Sequence, residues 1–237
     1  LPGMLWAKVL RSPHAHARIT SIDLSAALAM PGVHAAITSD VFPDLKAGME
    51  DSGEGEVDFH DLSCNVMARD KVLYHGHAVA AVAATSERIA EQALAAIKVD
   101  YEVLPHVVDI GAAMSADAPV LHQDMFTEGL AEPAAAPSNI ASRSEISQGD
   151  LAAGFAEADI IVERSYRIPT AHQGYIEPHA CVVSVNQDGQ VDIWASSQGH
   201  FMVRDYTSKV LGVAVGSIKV TPAEIGGGFG GKTTVYL

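Results

Sequence analysis

The chain has only two cysteines, Cys64 and Cys181, in 237 residues. Two thiolates cannot by themselves hold an iron–sulfur cluster or a structural zinc. Their separation gives a disulfide no positive support, so both are expected as reduced, buried thiols. Basic residues are also scarce: 15 Lys and Arg against 29 Asp and Glu leave a formal net charge of −14. That balance argues against nucleic acid or an anionic membrane surface as a main partner. No apolar run reaches bilayer length, so no membrane insertion is expected, and no signal peptide is recognisable. A G-x-S-x-G nucleophile elbow is missing as well, and neither cysteine lies in a nucleophile motif.

What is there is a foldable chain. Hydrophobic residues make up 48% and charged ones 19%, which suits one large or two modest domains and excludes global disorder. The opening Leu1-Pro2-Gly3-Met4-Leu5-Trp6 reads as entry into the middle of a domain, so a fragment of a longer protein is expected.

Residues 1–104 read as one α+β unit. Strands are expected over 5–10, 33–38, 77–84 and 98–104. Ser25 is expected to cap a brief Ala/Leu helix stopped by Pro31-Gly32, and Ser86 a longer one with Ile89, Ala93, Leu94 and Ile97 on one face. From Asp40 to Asp61 the chain carries Asp44, Glu50, Asp51, Glu54, Glu56 and Asp58 against Lys46 alone, and reads as a solvated, mobile excursion. Residues 105–149 read as an extended linker, with Ala131 through Pro137 its clearest stretch. A second unit is expected over 150–237. It would hold a strand at 159–168, a hairpin from Cys181 to Ala195 turning at Asp188-Gly189, a helix from His200 to Leu211, and a strand at 217–221.

That last strand runs into the most informative stretch, Ile225-Gly226-Gly227-Gly228-Phe229-Gly230-Gly231-Lys232-Thr233-Thr234. Five glycines around one phenylalanine cannot pack a core. Without Cβ atoms they can bring backbone N–H groups close to an anionic or oxygen-rich ligand. Gly226 to Thr233 also satisfies G-x-x-x-x-G-K-[ST], the phosphate-binding P-loop pattern. A P-loop is followed by a helix that receives the phosphates, whereas Thr234-Val235-Tyr236-Leu237 is strand-like. A plain glycine-rich surface turn is the other alternative.

Ser196-Ser197-Gln198-Gly199-His200 ends one strand and opens a helix, and the glycine run follows the next strand. The two turns would gather in space if those strands are neighbours. Gln198 could then orient a polar cofactor without charge, using its amide as donor and acceptor. Glu177, in Ile176-Glu177-Pro178-His179, reads as a structural carboxylate or half of a surface pair. His14-Ala15-His16 and His75-Gly76-His77 would each put two rings on one face of a strand, a spacing zinc uses, but nothing in the sequence brings the pairs together.

The combination resembles the molybdenum hydroxylases of the xanthine dehydrogenase and aldehyde oxidase family. Leu10-Arg11-Ser12-Pro13-His14-Ala15-His16-Ala17-Arg18-Ile19, then Tyr74 through Val82 and Val99-Asp100-Tyr101-Glu102, are similar to that family's hammerhead domain. Ile176-Glu177-Pro178-His179-Ala180, Ser196-Ser197-Gln198 and Ile225 through Lys232 look like the start of its molybdenum-cofactor-binding domain. The resemblance covers nearly the whole chain in family order.

The resemblance implies an α+β fold, with a hammerhead domain followed by the first part of a cofactor-binding domain. It implies a molybdenum–molybdopterin cofactor, in its cytosine dinucleotide form, held through the pterin dithiolene with no protein ligand to the metal. Gln198, Gly227, Gly228, Phe229 and Gly230 would be its cofactor-binding residues, with Phe229 and Gly230 against the metal site and a backbone N–H donated to its oxygen. Lys232 would have no obligatory role at the metal. No catalytic residue is expected in this chain, because the family's glutamate base lies far downstream. The remainder of the molybdenum subunit or a split partner chain would supply that base. Iron–sulfur and FAD groups would sit on other subunits or domains, and the assembly would be cytoplasmic, or periplasmic through a partner's export signal. Thr233 stands where purine-oxidising relatives carry a substrate-binding glutamate, so an aldehyde or another aromatic N-heterocycle becomes the expected small-molecule substrate. A non-catalytic assembly module, docking onto partner subunits through the glycine run, is the competing class.

Overall fold

A computed structural model describes residues 1–52 and 55–233. Gly53 and Glu54 of the acidic stretch, and the strand-like run from Thr234 to Leu237, lie outside the described residues. In order, the elements are β1 (Trp6–Arg11), β2 (Ala17–Asp23), α1 (Ser25–Leu28), β3 (Val33–Ile37), β4 (Met49–Asp51), β5 (Glu56–Asp58), α2 (Phe59–Val66), β6 (Lys71–Val72), β7 (Ala78–Ala84), α3 (Glu87–Ala96) and β8 (Lys98–Val103). They continue with α4 (Ile110–Ala113), α5 (Leu151–Glu157), β9 (Cys181–Val185), β10 (Val191–Ala195), α6 (His200–Leu211) and β11 (Ile218–Pro222). The chain divides into two units, one made of Leu1–Leu104 with Gln173–Leu237 and the other of Pro105–His172.

The first unit is built around β7, whose sequence Ala-Val-Ala-Ala-Val-Ala-Ala has side chains small enough to be covered on both faces. β7 is the centre of a β1-β7-β3 sheet, antiparallel to both neighbours. Ala80, Val82 and Ala84 on one face pack with Ala27 of α1, with Ala90 and Ala93 of α3, and with Ile97. Val79, pointing the other way, packs with Ala17, Ala68 and Val72, next to the β6-β2-β8 sheet. Period-two alternation serves two layers at once, and alanine lets them approach. Ser86 caps α3 by accepting from the Ile89 amide at 3.3 Å. Ser25 is no cap. It is the first residue of α1, and its own N–H is taken by the Asp23 carboxylate at 2.9 Å, so the carboxylate does the work assigned to the hydroxyl.

The acidic stretch is not the mobile excursion its charge suggests. β4 and β5 form an antiparallel hairpin, and Asp58 then caps α2, accepting from the amides of His60 at 2.8 Å and Asp61 at 3.2 Å. Phe59 explains the order. Its buried ring meets Tyr206 of α6 edge-on at 5.3 Å, and Glu50 takes a hydrogen bond from Lys209 of α6 at 2.5 Å. One apolar anchor outweighs a run of solvated carboxylates.

The histidine pairs lie in turns, not on strands, so the same-face argument does not apply. His77 is fully buried, accepts from the Leu73 amide at Nδ1 (3.3 Å) and donates from Nε2 to the Cys64 carbonyl (2.9 Å). Burial pushes its pKa below the usual histidine value. Neither pair joins a group of metal-ligating side chains among the described residues. The thiols differ from expectation as well, since Cys64 is half-buried and Cys181 is exposed at a sheet edge.

In the second unit, Asp109 caps α4 and Asp150 caps α5 through side-chain bonds to the amides of Ala112 and Ala153. Asn139 ties the unit together by donating to the carbonyls of Ala113 and Pro119, both at 3.1 Å. Residues 159–168 form no strand and are exposed throughout. Alternating apolar residues favour a strand only when a neighbour takes up the backbone hydrogen bonds, and no neighbouring strand is present here among the described residues.

A glycine loop at the carboxyl ends of two parallel strands

β10 and β11 run parallel, pairing Val191 with Ile218 through Ala195 with Pro222. The β10-α6-β11 crossover packs α6 against β11, while β9 extends the sheet as an antiparallel edge. The hairpin turns at Asp188-Gly189, as its sequence predicts, with Gly189 at φ +84°. Because the two parallel strands end side by side, the Ser196-Ser197-Gln198 turn and the glycine run leave the sheet at one edge. Open α/β sheets bind ligands at such carboxyl edges.

Gln198 is the hub. Its Oε1 accepts from the backbone N–H of Gly230 at 3.0 Å and of Lys232 at 3.3 Å. Its own N–H donates to the Lys232 carbonyl at 2.8 Å, which also accepts from the Ser197 hydroxyl at 3.1 Å. These contacts fix which end of the amide is oxygen. The Nε2 end makes no hydrogen bond among the described residues. Gly228 is buried beneath Gln198, and a Cβ there would stand 2.4 Å from Oε1. Only glycine fits. Phe229 adopts φ 50°, the only non-glycine residue in the left-handed region among those described, and its ring is 73% exposed. The Gly227, Gly228 and Phe229 N–H groups have no partner among the described residues, while Gly231 N–H is taken by the Gly228 carbonyl at 2.7 Å.

The Gly230 N–H is already engaged by Gln198, so the donors open to an oxygen-rich ligand are the three amides before it. The residues fit a bulky, oxygen-rich cofactor. There is a row of uncommitted backbone donors, a side-chain amide with two N–H groups to give, and a glycine whose missing Cβ leaves room for that amide. Thr233 turns its hydroxyl back onto the Gly230 carbonyl at 3.3 Å.

Sequence reasoning undervalued Lys232. It is almost completely buried, and its Nζ donates to Glu177 Oε2 at 2.6 Å, 4.8 Å from the centre of the Tyr175 ring. The same carboxylate oxygen accepts from the Gly226 amide at 2.8 Å. These two donors, the ammonium first, hold the Glu177 carboxyl below the usual range. A lysine sealed from solvent and committed to a carboxylate is not available to a phosphate, which argues against the P-loop alternative. No local signal predicts that burial, because the covering groups come from residues 175–177.

Comparison with known proteins agrees with this geometry. The model of the aldehyde oxidase and xanthine dehydrogenase a/b hammerhead domain matches residues 1–105, and that of the molybdopterin cofactor-binding domain matches residues 132–237. The carbon monoxide dehydrogenase large chain of Hydrogenophaga pseudoflava is 34% identical over 239 residues, covering 100% of this chain and 29% of that one. A probable hypoxanthine oxidase of Escherichia coli K12 is 35% identical over 254 residues, covering 97% of this chain and 26% of its own length. Quinoline 2-oxidoreductase from Pseudomonas putida 86 superposes with a TM-score of 0.79 at 30% identity, over 98% of this chain and 28% of that structure. The chain therefore spans less than a third of the length of these three relatives. With one domain model on each side of residues 106–131, both matching in family order, the chain belongs to the xanthine dehydrogenase and aldehyde oxidase family of molybdopterin proteins.

Proposed function

We propose that this chain is the N-terminal part of the molybdenum subunit of a hydroxylase, with a hammerhead domain over 1–104 and part of the cofactor-binding domain over 150–237, joined through the segment 105–149, which belongs to the compact Pro105–His172 unit. The complete enzyme hydroxylates an aldehyde or an aromatic N-heterocycle with water-derived oxygen and passes the electrons to iron–sulfur and FAD partners. Molybdenum–molybdopterin, in its cytosine dinucleotide form, supplies the two-electron chemistry when bound.

The residues of this chain bind and orient. Gln198 presents its Nε2 donors to the cofactor while its Oε1 holds Gly230 and Lys232 in place. The open amides of Gly227, Gly228 and Phe229 would donate to oxygens of the group. Phe229, held in the left-handed region with its ring exposed, would offer it an apolar wall. Thr233 would border the substrate. The general base lies outside this chain, so the chain alone is inactive; losing such a base costs roughly 10²–10⁴ in rate. A probable hypoxanthine oxidase matches as well as a carbon monoxide dehydrogenase does, so overall similarity does not rank substrates. Position 233 does, and a threonine offers no carboxylate to a purine. The proposed location of the assembly is the cytoplasm, or the periplasm through a partner's export signal. No helix among the described residues is long and apolar enough to cross a membrane.

The observation that carries the reading is the Gln198 clasp on the glycine loop at the carboxyl edge of β10 and β11. The deciding experiment is molybdenum and pterin analysis of the purified complete assembly. Both are expected, and absence of both ends the reading. Calorimetry with magnesium and ATP is expected to give no binding.

A further inference from the structure

We infer that Glu177 and Lys232 are positioning residues, a clip of a buried lysine and a half-buried carboxylate that closes the glycine loop into the shape the cofactor requires. The inference rests on the reading above for what the loop binds, but not for how the loop is held. One carboxylate oxygen receives both the Gly226 amide, where the loop begins, and the Lys232 ammonium, where it ends. Between those points the loop has almost nothing apolar to hold it, since its residues are glycines and one exposed phenylalanine.

Lys232 is also placed from the other side. Its backbone N–H and carbonyl are both bound by Gln198, so side chain and main chain are fixed by different elements. The face of Tyr175 lies beside the ammonium, and the Tyr175 hydroxyl is tied to His179 Nε2 at 2.6 Å. The ammonium is sealed from solvent over an aromatic face, while the Glu177 side chain it meets is 34% exposed, so the lysine is held in place by the carboxylate and the ring. The pair thus sets the separation of residues 226 and 232, and with it the row of open amides at 227–229. Glu177 acts through the loop and touches no cofactor.

The test uses the complete subunit with its partners. Four variants are compared: Glu177→Gln, Lys232→Met, the double variant, and Lys232→Arg as the conservative replacement. Amide hydrogen exchange of the 222–233 peptide reads the loop directly, and molybdenum and pterin content reads retention. Both single variants should speed exchange in that peptide by about tenfold or more, as expected for loss of a charge-assisted bond, while the β10 peptide is unchanged. Cofactor content should fall several-fold in each. The double variant should be no worse than the poorer single one, because the residues act as a unit. Lys232→Arg should recover a large part of both readouts. If Glu177→Gln does not fold, Glu177→Asp, which keeps the charge but shortens the reach, takes its place with the same expectation. Unchanged exchange in both single variants overturns the clip. Cofactor loss in Lys232→Met with none in Glu177→Gln also overturns it, because Lys232 would then act directly on the bound group. A wild-type assembly without molybdenum or pterin counts against the function proposed above, and the exchange measurement still decides the clip.

Discussion

β7 and β9 are similar strings of small apolar residues that end up in opposite environments. β7, Ala-Val-Ala-Ala-Val-Ala-Ala, has five of its seven residues buried, whereas β9, Cys-Val-Val-Ser-Val, is exposed at every position. Side-chain chemistry does not separate them, but neighbours do. β7 lies between β1 and β3 with helices over one face and a second sheet near the other. β9 is paired on one side only, and the core beneath its sheet reduces to Ile193, Ala195 and Ile218 with two partly buried valines. The hammerhead region is thus held by apolar packing. The region that carries the glycine loop is held at its working edge by hydrogen bonds and by the ion pair of buried Lys232 with Glu177. A loop that must leave backbone donors open cannot be fixed by covering it, so polar ties from Gln198 and Glu177 do that instead.

The contrast can be broken most sharply at Gly228. Gly228→Val puts a Cβ 2.4 Å from Gln198 Oε1 and must displace the hub, so molybdenum and pterin content should fall about tenfold or more, the scale of one lost buried hydrogen bond with its partner stranded. Gly230→Val meets open space and suffers only its φ of +86°, about 1–2 kcal/mol, so its loss should be smaller. Equal losses at the two positions would remove Gly228 from its special place.

Core truncation comes next. Val79→Ala should cost about 2 kcal/mol of unfolding free energy, because two buried carbons leave a cavity in a packed layer. Acidification should reveal His77, buried two residues before Val79. Its folded pKa lies below the unfolded value of about 6.5. The unfolded chain therefore binds the proton first, and this contribution is intact above about pH 6.5 and lost as pH falls through the folded-state value. Thermal unfolding followed from pH 7.5 to pH 5 should show a steeper decline in wild type than in His77→Gln. The smallest effect belongs to β9. Val183→Ala, the same change as at Val79 but at a 53% exposed site, should move stability by no more than about 0.5 kcal/mol in denaturant unfolding. A cost equal to that at Val79 would mean that β9 is covered in the assembly.

Much of this was legible in the residues. The 200–211 helix, the Asp188-Gly189 hairpin and the Ser86 cap follow from local rules, because caps, turns and periodicity act within a few positions. The order of motifs pointed to the family, and the adjacency of Gln198 and the glycine run followed once their strands were taken as neighbours. Where local reasoning failed, a distant partner decided. The 159–168 segment alternates like a strand but has no neighbour, and the acidic stretch reads as solvent-bound until Phe59 meets Tyr206. The sequence by itself determined the Ser86-capped helix, the hairpin turn, the 200–211 helix, the family and a loop with one side chain among five glycines. Only the tertiary structure decided that Gly230 gives its N–H to Gln198, that Gly227 to Phe229 keep theirs, and that Lys232 is buried against Glu177. Those outcomes depend on groups 32 to 55 residues apart in the chain, brought within hydrogen-bond range by the parallel pairing of β10 with β11 and the approach of the Tyr175–Glu177 segment.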